Sequence, residues 1–325
     1  MSMINNSALC VQSVNDVELI VSVELSGMKL VDWIAQNRSV INEWVDSKGA
    51  LVLRGLNLTS SRQFGRLVSQ IFDEELLSYS HRSSPRTELK GNVYTSTEYH
   101  QAKMIVQHNE QAYTNIWPMR IAFFCLLPAE QGGETPIADS RVIYQEIPSE
   151  IREEFDKKGV QYVRNFSDID LPWTEVFCTE DKKVVEQYCE RNGIDYQWIG
   201  ENDLRTKQVL PATAMHPSSG EILWFNQAHL FHSSTIGKEL QQALLVSKGE
   251  EFLPRNAFYG DGSRIEDSVI SEICKIYQEN KFSFEWQKGD VMLLDNMMYS
   301  HGRETFKGDR KVLTAMTTPH EVKAL

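Results

Sequence analysis

His108 and Glu110 stand two apart in the run Gln107-His108-Asn109-Glu110. On an extended segment, side chains i and i+2 point to the same face. An imidazole and a carboxylate from this tripeptide can therefore reach one metal ion together. A second imidazole from a distant segment would complete one face of an octahedral ion and leave the opposite positions open. That two-histidine, one-carboxylate set suits non-haem Fe(II) and O₂ chemistry. The same three donors also suit a hydrolytic Zn(II). The tripeptide alone is common on solvated strand edges and decides nothing. Histidines occur at 81, 100, 108, 216, 229, 232, 301 and 320. Of these, His301 is well placed as a partner, because it follows the apolar run 291–295 (VMLLD) and precedes 312–316 (VLTAM), though a hydrogen-bonded loop histidine would read the same in isolation.

Such ligands need a rigid scaffold. Residues 27–48 carry Leu30, Val31, Ile34, Ile41, Trp44 and Val45 at helical spacing. Residues 50–55 (ALVLRG) read as a buried strand, and Thr59 or Ser60 is placed to cap a helix running to about Phe72. Further helices are expected near 149–158, 180–191 and 266–280. Short apolar runs at 121–127 (IAFFCLL), 222–226 (ILWFN), 291–295 and 312–316 are bounded by Gly, Pro, Asn or Asp and read as strands. Strands and helices do not alternate regularly in the second half, which disfavours a doubly wound parallel sheet. The expectation is an α+β protein with a mainly β core, a sandwich or jelly roll decorated with helices. Residues 160–215 are polar, with Trp173, Phe177, Tyr196 and Trp198 interspersed, and read as an inserted lid or helical cap. No repeat, low-complexity tract or linker divides the 325 residues, so one domain is expected.

A net charge of −12 opposes binding to phosphate backbones or anionic lipid, so neither nucleic acid nor membrane is an expected partner. The cysteines at 10, 125, 178, 189 and 274 form no CxxC pair and are odd in number, which argues against a disulfide framework. No apolar stretch approaches the length of a membrane span, and the run MSMINNSALC lacks the features of a signal peptide. A cytoplasmic protein acting on a small molecule fits these features.

The motifs are more specific together than singly. HNE, an apolar strand, GGETPIAD at 132–139 and DNMMYSHGRETFKGDRKVLTAM at 295–316 resemble the TauD/TfdA (taurine dioxygenase-like) superfamily of Fe(II)- and 2-oxoglutarate-dependent oxygenases. The match looks nearest to the SyrP-like and clavaminate synthase-like branch, in which the carboxylate is Glu. The motifs cover roughly 105–141 and 286–318, with weaker similarity over 210–232. The resemblance implies a double-stranded β-helix, or jelly roll, with flanking helices. It implies His108, Glu110 and His301 as Fe(II) ligands, Thr135 and Arg310 as binders of 2-oxoglutarate, and O₂ as the other co-substrate. The far carboxylate of 2-oxoglutarate needs a guanidinium fork and a hydroxyl, which Arg310 and Thr135 would supply.

Asn226 and Arg303 are further candidates, facing the substrate. Thr314 stands where taurine dioxygenase carries a sulfonate-gripping Arg, so a sulfonate substrate is not expected. The intact Glu110 favours hydroxylation over halogenation. The branch implies an amino acid, free or tethered to a carrier protein, in a biosynthetic pathway. Desaturation or cyclisation by the same class stays open, as do a Zn(II) hydrolase and a non-catalytic regulator, although a Thr135–Arg310 clamp serves no hydrolysis. His229 and His232 lack a third ligand nearby and read as a pocket cover or a turn cap. Oligomeric state is not legible in the sequence.

Overall fold

The computed structural model describes residues 9–14, 17–78, 86–167, 169, 171–237, 242, 243, 246 and 249–322. At its centre a seven-stranded sheet runs in the order Leu9–Val14, Val17–Val23, Ala50–Arg54, Val291–Asp295, Ile116–Leu127, Lys311–Glu321, Tyr94–Thr95. Its first two strands are elements that the sequence reading missed. Only the pairing of Val17–Val23 with Ala50–Arg54 is parallel, and helix Leu30–Lys48 supplies the crossover that a parallel pair requires.

Strand alternation sends successive side chains to opposite faces. Leu51, Leu53, Ala122, Phe124, Val291, Leu293, Leu313 and Ala315 pack on one face, against Trp33, Ile41, Val45, Phe64, Leu67 and Ile71 of helices Leu30–Lys48 and Ser61–Phe72. Ser60 caps the second helix by accepting from the Gln63 amide at 3.3 Å. On the other face, Ala50, Val52, Ile121, Phe123, Met292, Leu294, Val312 and Met316 share a core with Ile137 and Tyr299. Those two residues belong to a small antiparallel sheet of Ile105–His108, Tyr299–Arg303 and Ile137–Asp139. With both faces of the large sheet covered, its central strands read as continuous apolar runs.

The expected helices lie at Ser149–Lys158, Lys182–Arg191 and Asp267–Asn280. The first helix begins at Leu30, because Ser26 and Gly27 take positive φ and form a turn ahead of it. Residues 160–215 hold helices Trp173–Val176 and Lys182–Arg191 together with strands. Strands Asp195–Ile199, Asp203–Leu210 and Val160–Phe166 form an antiparallel sheet with Arg255–Tyr259 at its edge. Its polarity misled because the buried positions of Asp203–Leu210 are Leu204, Thr206, Gln208 and Leu210, two of them polar. Among the described residues no helix is long and apolar enough to cross a membrane.

Candidate functional site

Antiparallel pairing sets His301 directly opposite His108. Their ring centroids are 4.6 Å apart. Glu110 follows just beyond the strand end, with Oε2 4.0 Å from Nε2 of His301. One donor atom from each of the three residues lies within 4.8 Å of the others. Strand register therefore gathers two segments far apart in sequence. Gln111 then turns the chain away with φ of 59°, a left-handed conformation uncommon outside glycine.

The loop carrying Glu110 is held by buried amides. Asn296 Oδ1 accepts from the Glu110 amide at 2.7 Å, and its Nδ2 donates to the Glu110 and Pro118 carbonyls, each at 2.9 Å. Asn109 Nδ2 donates to the Asn296 carbonyl at 2.7 Å and to Ser140 Oγ at 3.0 Å. Gln227 Nε2 donates to the Asn109 carbonyl at 2.7 Å, and His229 Nε2 donates to the Gln107 carbonyl at 2.9 Å. Asp295, which accepts from the Met297 and Met298 amides at 2.9 and 3.0 Å, anchors the other side of this knot. His216 and Arg120 pair with Asp295 and outweigh its burial, holding its carboxyl below the usual range.

Burial lowers the pKa of His108 and pushes that of His301 well below the ordinary imidazole value. Both are neutral, the form that binds metal. His108 donates from Nδ1 to the Val106 carbonyl at 2.8 Å, which fixes the tautomer and leaves Nε2 as the donor atom. Two neutral imidazoles and a carboxylate on one face fit Fe(II).

Beside these ligands opens a small cleft. Arg86, Ile105, Phe123, Thr135, Arg303 and Arg310 line it with the two histidines. Arg310 donates from Nε to the Gly133 carbonyl at 2.8 Å, and its other nitrogens reach Ser96 Oγ at 3.4 Å and Thr135 Oγ1 at 3.3 Å. No carboxylate pairs with it among the described residues. Burial, with the nearby Arg303, lowers its pKa to about 10. Gly133 has φ of +76°, and a Cβ there would lie 2.9 Å from Arg310 Cδ, so the guanidinium stem needs glycine beneath it. Trp286 Nε1 donates to Thr135 Oγ1 at 3.1 Å and aims the hydroxyl. In a chain of net charge −12, a cleft lined by three guanidiniums is a local reversal of sign that suits a dianion.

The structure thus brings His108, Glu110, His301, Thr135 and Arg310 to one place. Arg303 also lines the cleft, but its guanidinium donates to the Thr97, Tyr99, His100 and Lys103 carbonyls at 3.3, 2.9, 3.0 and 2.6 Å. Its visible work is to pin that loop. Asn226 does not line the cleft. It is fully buried, donates to the Ala212 carbonyl at 2.8 Å and accepts from the Ala228 amide at 3.0 Å. His229 is a buried strut, held down to about pKa 4 by burial, and His232 caps the turn at Ser234.

Sequence reasoning missed Arg86. It is buried in the cleft, and its Nη2 lies 2.6 Å from Glu110 Oε2. No spacing rule ties it to the HNE run, since contact is made through the fold. It also missed Asn296 as the clamp on Glu110, although Asn296 stands in the motif that carries His301.

The model of the family described as taurine catabolism dioxygenase TauD, TfdA matches residues 14–317. The dapdiamide synthesis protein DdaC of Enterobacter agglomerans is 44% identical over 280 residues, covering 86% of this chain and 85% of that one. The clavaminate synthase-like protein At3g21360 of Arabidopsis thaliana is 28% identical over 296 residues, covering 87% and 86%. The crystal structure of PvcB from Pseudomonas aeruginosa shares the fold with a TM-score of 0.57 at 13% identity, over 98% of this chain and 94% of that one.

Proposed function

Because the chain belongs to the TauD/TfdA dioxygenase family, and is therefore an Fe(II)- and 2-oxoglutarate-dependent oxygenase, we propose that it hydroxylates an unactivated C–H of an amino acid or amino-acid-derived small molecule in a biosynthetic pathway. The 44% identical relative named for dapdiamide synthesis supports the biosynthetic setting. In this reading His108, Glu110 and His301 hold the iron, and the large and small sheets form the jelly roll that carries them. Iron and 2-oxoglutarate supply the oxidation: O₂ gives one oxygen atom to the substrate and one to the succinate formed as 2-oxoglutarate loses CO₂.

The protein's part is placement. Arg310 grips the far carboxylate of 2-oxoglutarate through its fork, with Thr135 as the second donor. Phe123, whose ring centroid lies 4.9 Å from that of His301, closes the wall beside the ligands and excludes water. The sheet inserted over 160–215 is the proposed lid of a single domain, and a substrate tethered to a carrier protein would enter past it. The observation that carries the reading is the half-buried Arg310, which no carboxylate pairs with among the described residues, in the same cleft as His108 and His301. A Zn(II) hydrolase would have no use for that cation.

The test is purified protein with Fe(II), 2-oxoglutarate and O₂, offered amino acids free and carrier-bound. Substrate-stimulated succinate release and a product heavier by one oxygen atom are expected. Desaturation or cyclisation would show instead as loss of two hydrogens. Hydrolysis of any of these compounds that needs Zn(II) but no 2-oxoglutarate would refute the assignment.

A further inference from the structure

Residues 96–104 form a strap along the Arg310 end of the cleft. The strap leaves the large sheet at Tyr94–Thr95 and enters the small sheet at Ile105–His108. It contains neither helix nor strand, and a single turn closes within it, from the Lys103 amide to the His100 carbonyl at 2.9 Å. Loop carbonyls ordinarily find partners in water. Here the carbonyls of Thr97, Tyr99, His100 and Lys103 converge instead on the two terminal nitrogens of Arg303. A lysine could not take that place, because its one ammonium nitrogen offers three donors to four carbonyls. Arg303 stands two residues beyond His301 on strand Tyr299–Arg303, so both side chains leave on the same side and both line the cleft.

The strap is also tied to Arg310. The Ser96 amide donates to the Val312 carbonyl at 2.9 Å, and Ser96 Oγ lies 3.4 Å from Arg310 Nη1. The Phe306 amide donates to the Gln101 carbonyl at 3.1 Å. The Phe306 ring centroid lies 5.2 Å from Arg303 Cζ and 5.7 Å from Arg310 Cζ, so one ring serves both guanidiniums. Strap, Arg303, Phe306 and Arg310 thus pack as one unit. Ser96 and Thr97 form cleft wall beside the cation that would hold the far carboxylate. The span from that wall to His108 and His301 limits the length of diacid the cleft can take.

We propose that Arg303 is a specificity-determining positioning residue: by fastening the strap it fixes the wall of the co-substrate pocket, and so selects 2-oxoglutarate over the 2-oxo diacid one methylene longer. This rests on the reading of the cleft as the 2-oxoglutarate site. Arg303 acts through the strap and leaves the grip on the far carboxylate to Arg310 and Thr135.

The experiment titrates Mn(II)-loaded protein, without O₂, by calorimetry. The probes are 2-oxoglutarate, the longer 2-oxoadipate, and 2-oxobutyrate, which lacks the far carboxylate. A methylene in a fitted pocket discriminates by about 10–200-fold, so wild type should hold 2-oxoglutarate at least about tenfold more tightly than 2-oxoadipate. Arg303→Gln and Arg303→Lys should both narrow that ratio to about threefold or less, with 2-oxobutyrate affinity kept within about twofold. Equal binding of the two diacids by wild type refutes the wall without recourse to any variant. A wild-type ratio in Arg303→Gln overturns the proposal, and the same ratio in Arg303→Lys overturns the need for a fork. A parallel loss for all three acids also overturns it, because general damage to the fold would not distinguish chain lengths. If wild type binds 2-oxoglutarate no better than 2-oxobutyrate, the reading of the cleft has itself failed and this inference falls with it, a result distinct from the others.

Discussion

Replacing Asn296 with alanine removes three buried hydrogen bonds from the backbone that carries Glu110. The side chain is fully buried, with Oδ1 on the Glu110 amide at 2.7 Å and Nδ2 on two carbonyls at 2.9 Å. Each backbone group left without a partner away from water costs about 1–3 kcal/mol. Loss of the set of three should therefore destabilise the protein by about 3 kcal/mol or more, reduced where a water enters the vacated space. Urea unfolding of the metal-free protein measures that loss. The Glu110 carboxylate would also be held less firmly toward the two imidazoles, and such supporting groups commonly contribute about 10–100-fold in metal affinity. A Mn(II) titration should show a loss in that range. Asn296→Asp sharpens the test, since it keeps an acceptor for the Glu110 amide but turns an oxygen toward the two carbonyls. It should be no better than alanine. A loss of stability below about 1 kcal/mol in both variants, with Mn(II) affinity unchanged, would refute the clamp.

Arg310→Ala should chiefly raise the KM for 2-oxoglutarate, since a partly buried, charge-assisted fork contributes about 2–4 kcal/mol, or roughly 30- to 1000-fold in kcat/KM. An unchanged co-substrate KM in steady-state succinate assays would rule the role out. If Glu110 is a metal ligand as proposed, it takes the position a halide would need, so wild-type protein supplied with substrate, 2-oxoglutarate, O₂ and excess chloride should give no halogenated product. A chlorinated product detected by mass spectrometry would overturn the ligand set. Stability should fall in acid: burial holds His229 at about pKa 4, so the unfolded chain binds the extra proton first and folded-state stability declines as pH drops from 6.5 toward 4. His229 alone would account for up to about 3 kcal/mol, and urea midpoints that stay flat across that window would count against it.

The three side chains that could hold a metal were legible because their chemistry is local or tied to a strand. His108 and Glu110 sit two apart, and His301 follows an apolar run ending in Asp295. The central strands were legible for the same reason, since a sheet covered on both faces writes unbroken apolar runs such as IAFFCLL. Arg86 was not legible. Its contact with Glu110 is set by tertiary packing, and an arginine next to a proline in a polar stretch reads as surface. Asn226 and Gln227 look alike in sequence, yet Asn226 closes its own turn while Gln227 reaches the Asn109 carbonyl. Only geometry separates them. The four-stranded sheet escaped because Thr206 and Gln208 are buried, which breaks the apolar alternation that marks a half-buried strand.

The two cores divide the work. The face of the large sheet that packs on helices Leu30–Lys48 and Ser61–Phe72 is apolar and contains none of the site residues. The opposite face carries Phe123 among its apolar residues and meets the small sheet that holds His108 and His301. At that end apolar packing gives way to a polar knot of Asn109, Gln227, His229, Asp295 and Asn296. Apolar contacts are tolerant of small shifts, whereas hydrogen bonds weaken steeply with angle, so a polar knot fixes a carboxylate's direction better than packing can. The arrangement has a cost in desolvation that the helix-backed core must offset. Substitutions in the helix-backed core should therefore change stability with little effect on metal affinity, while those in the knot should change both together.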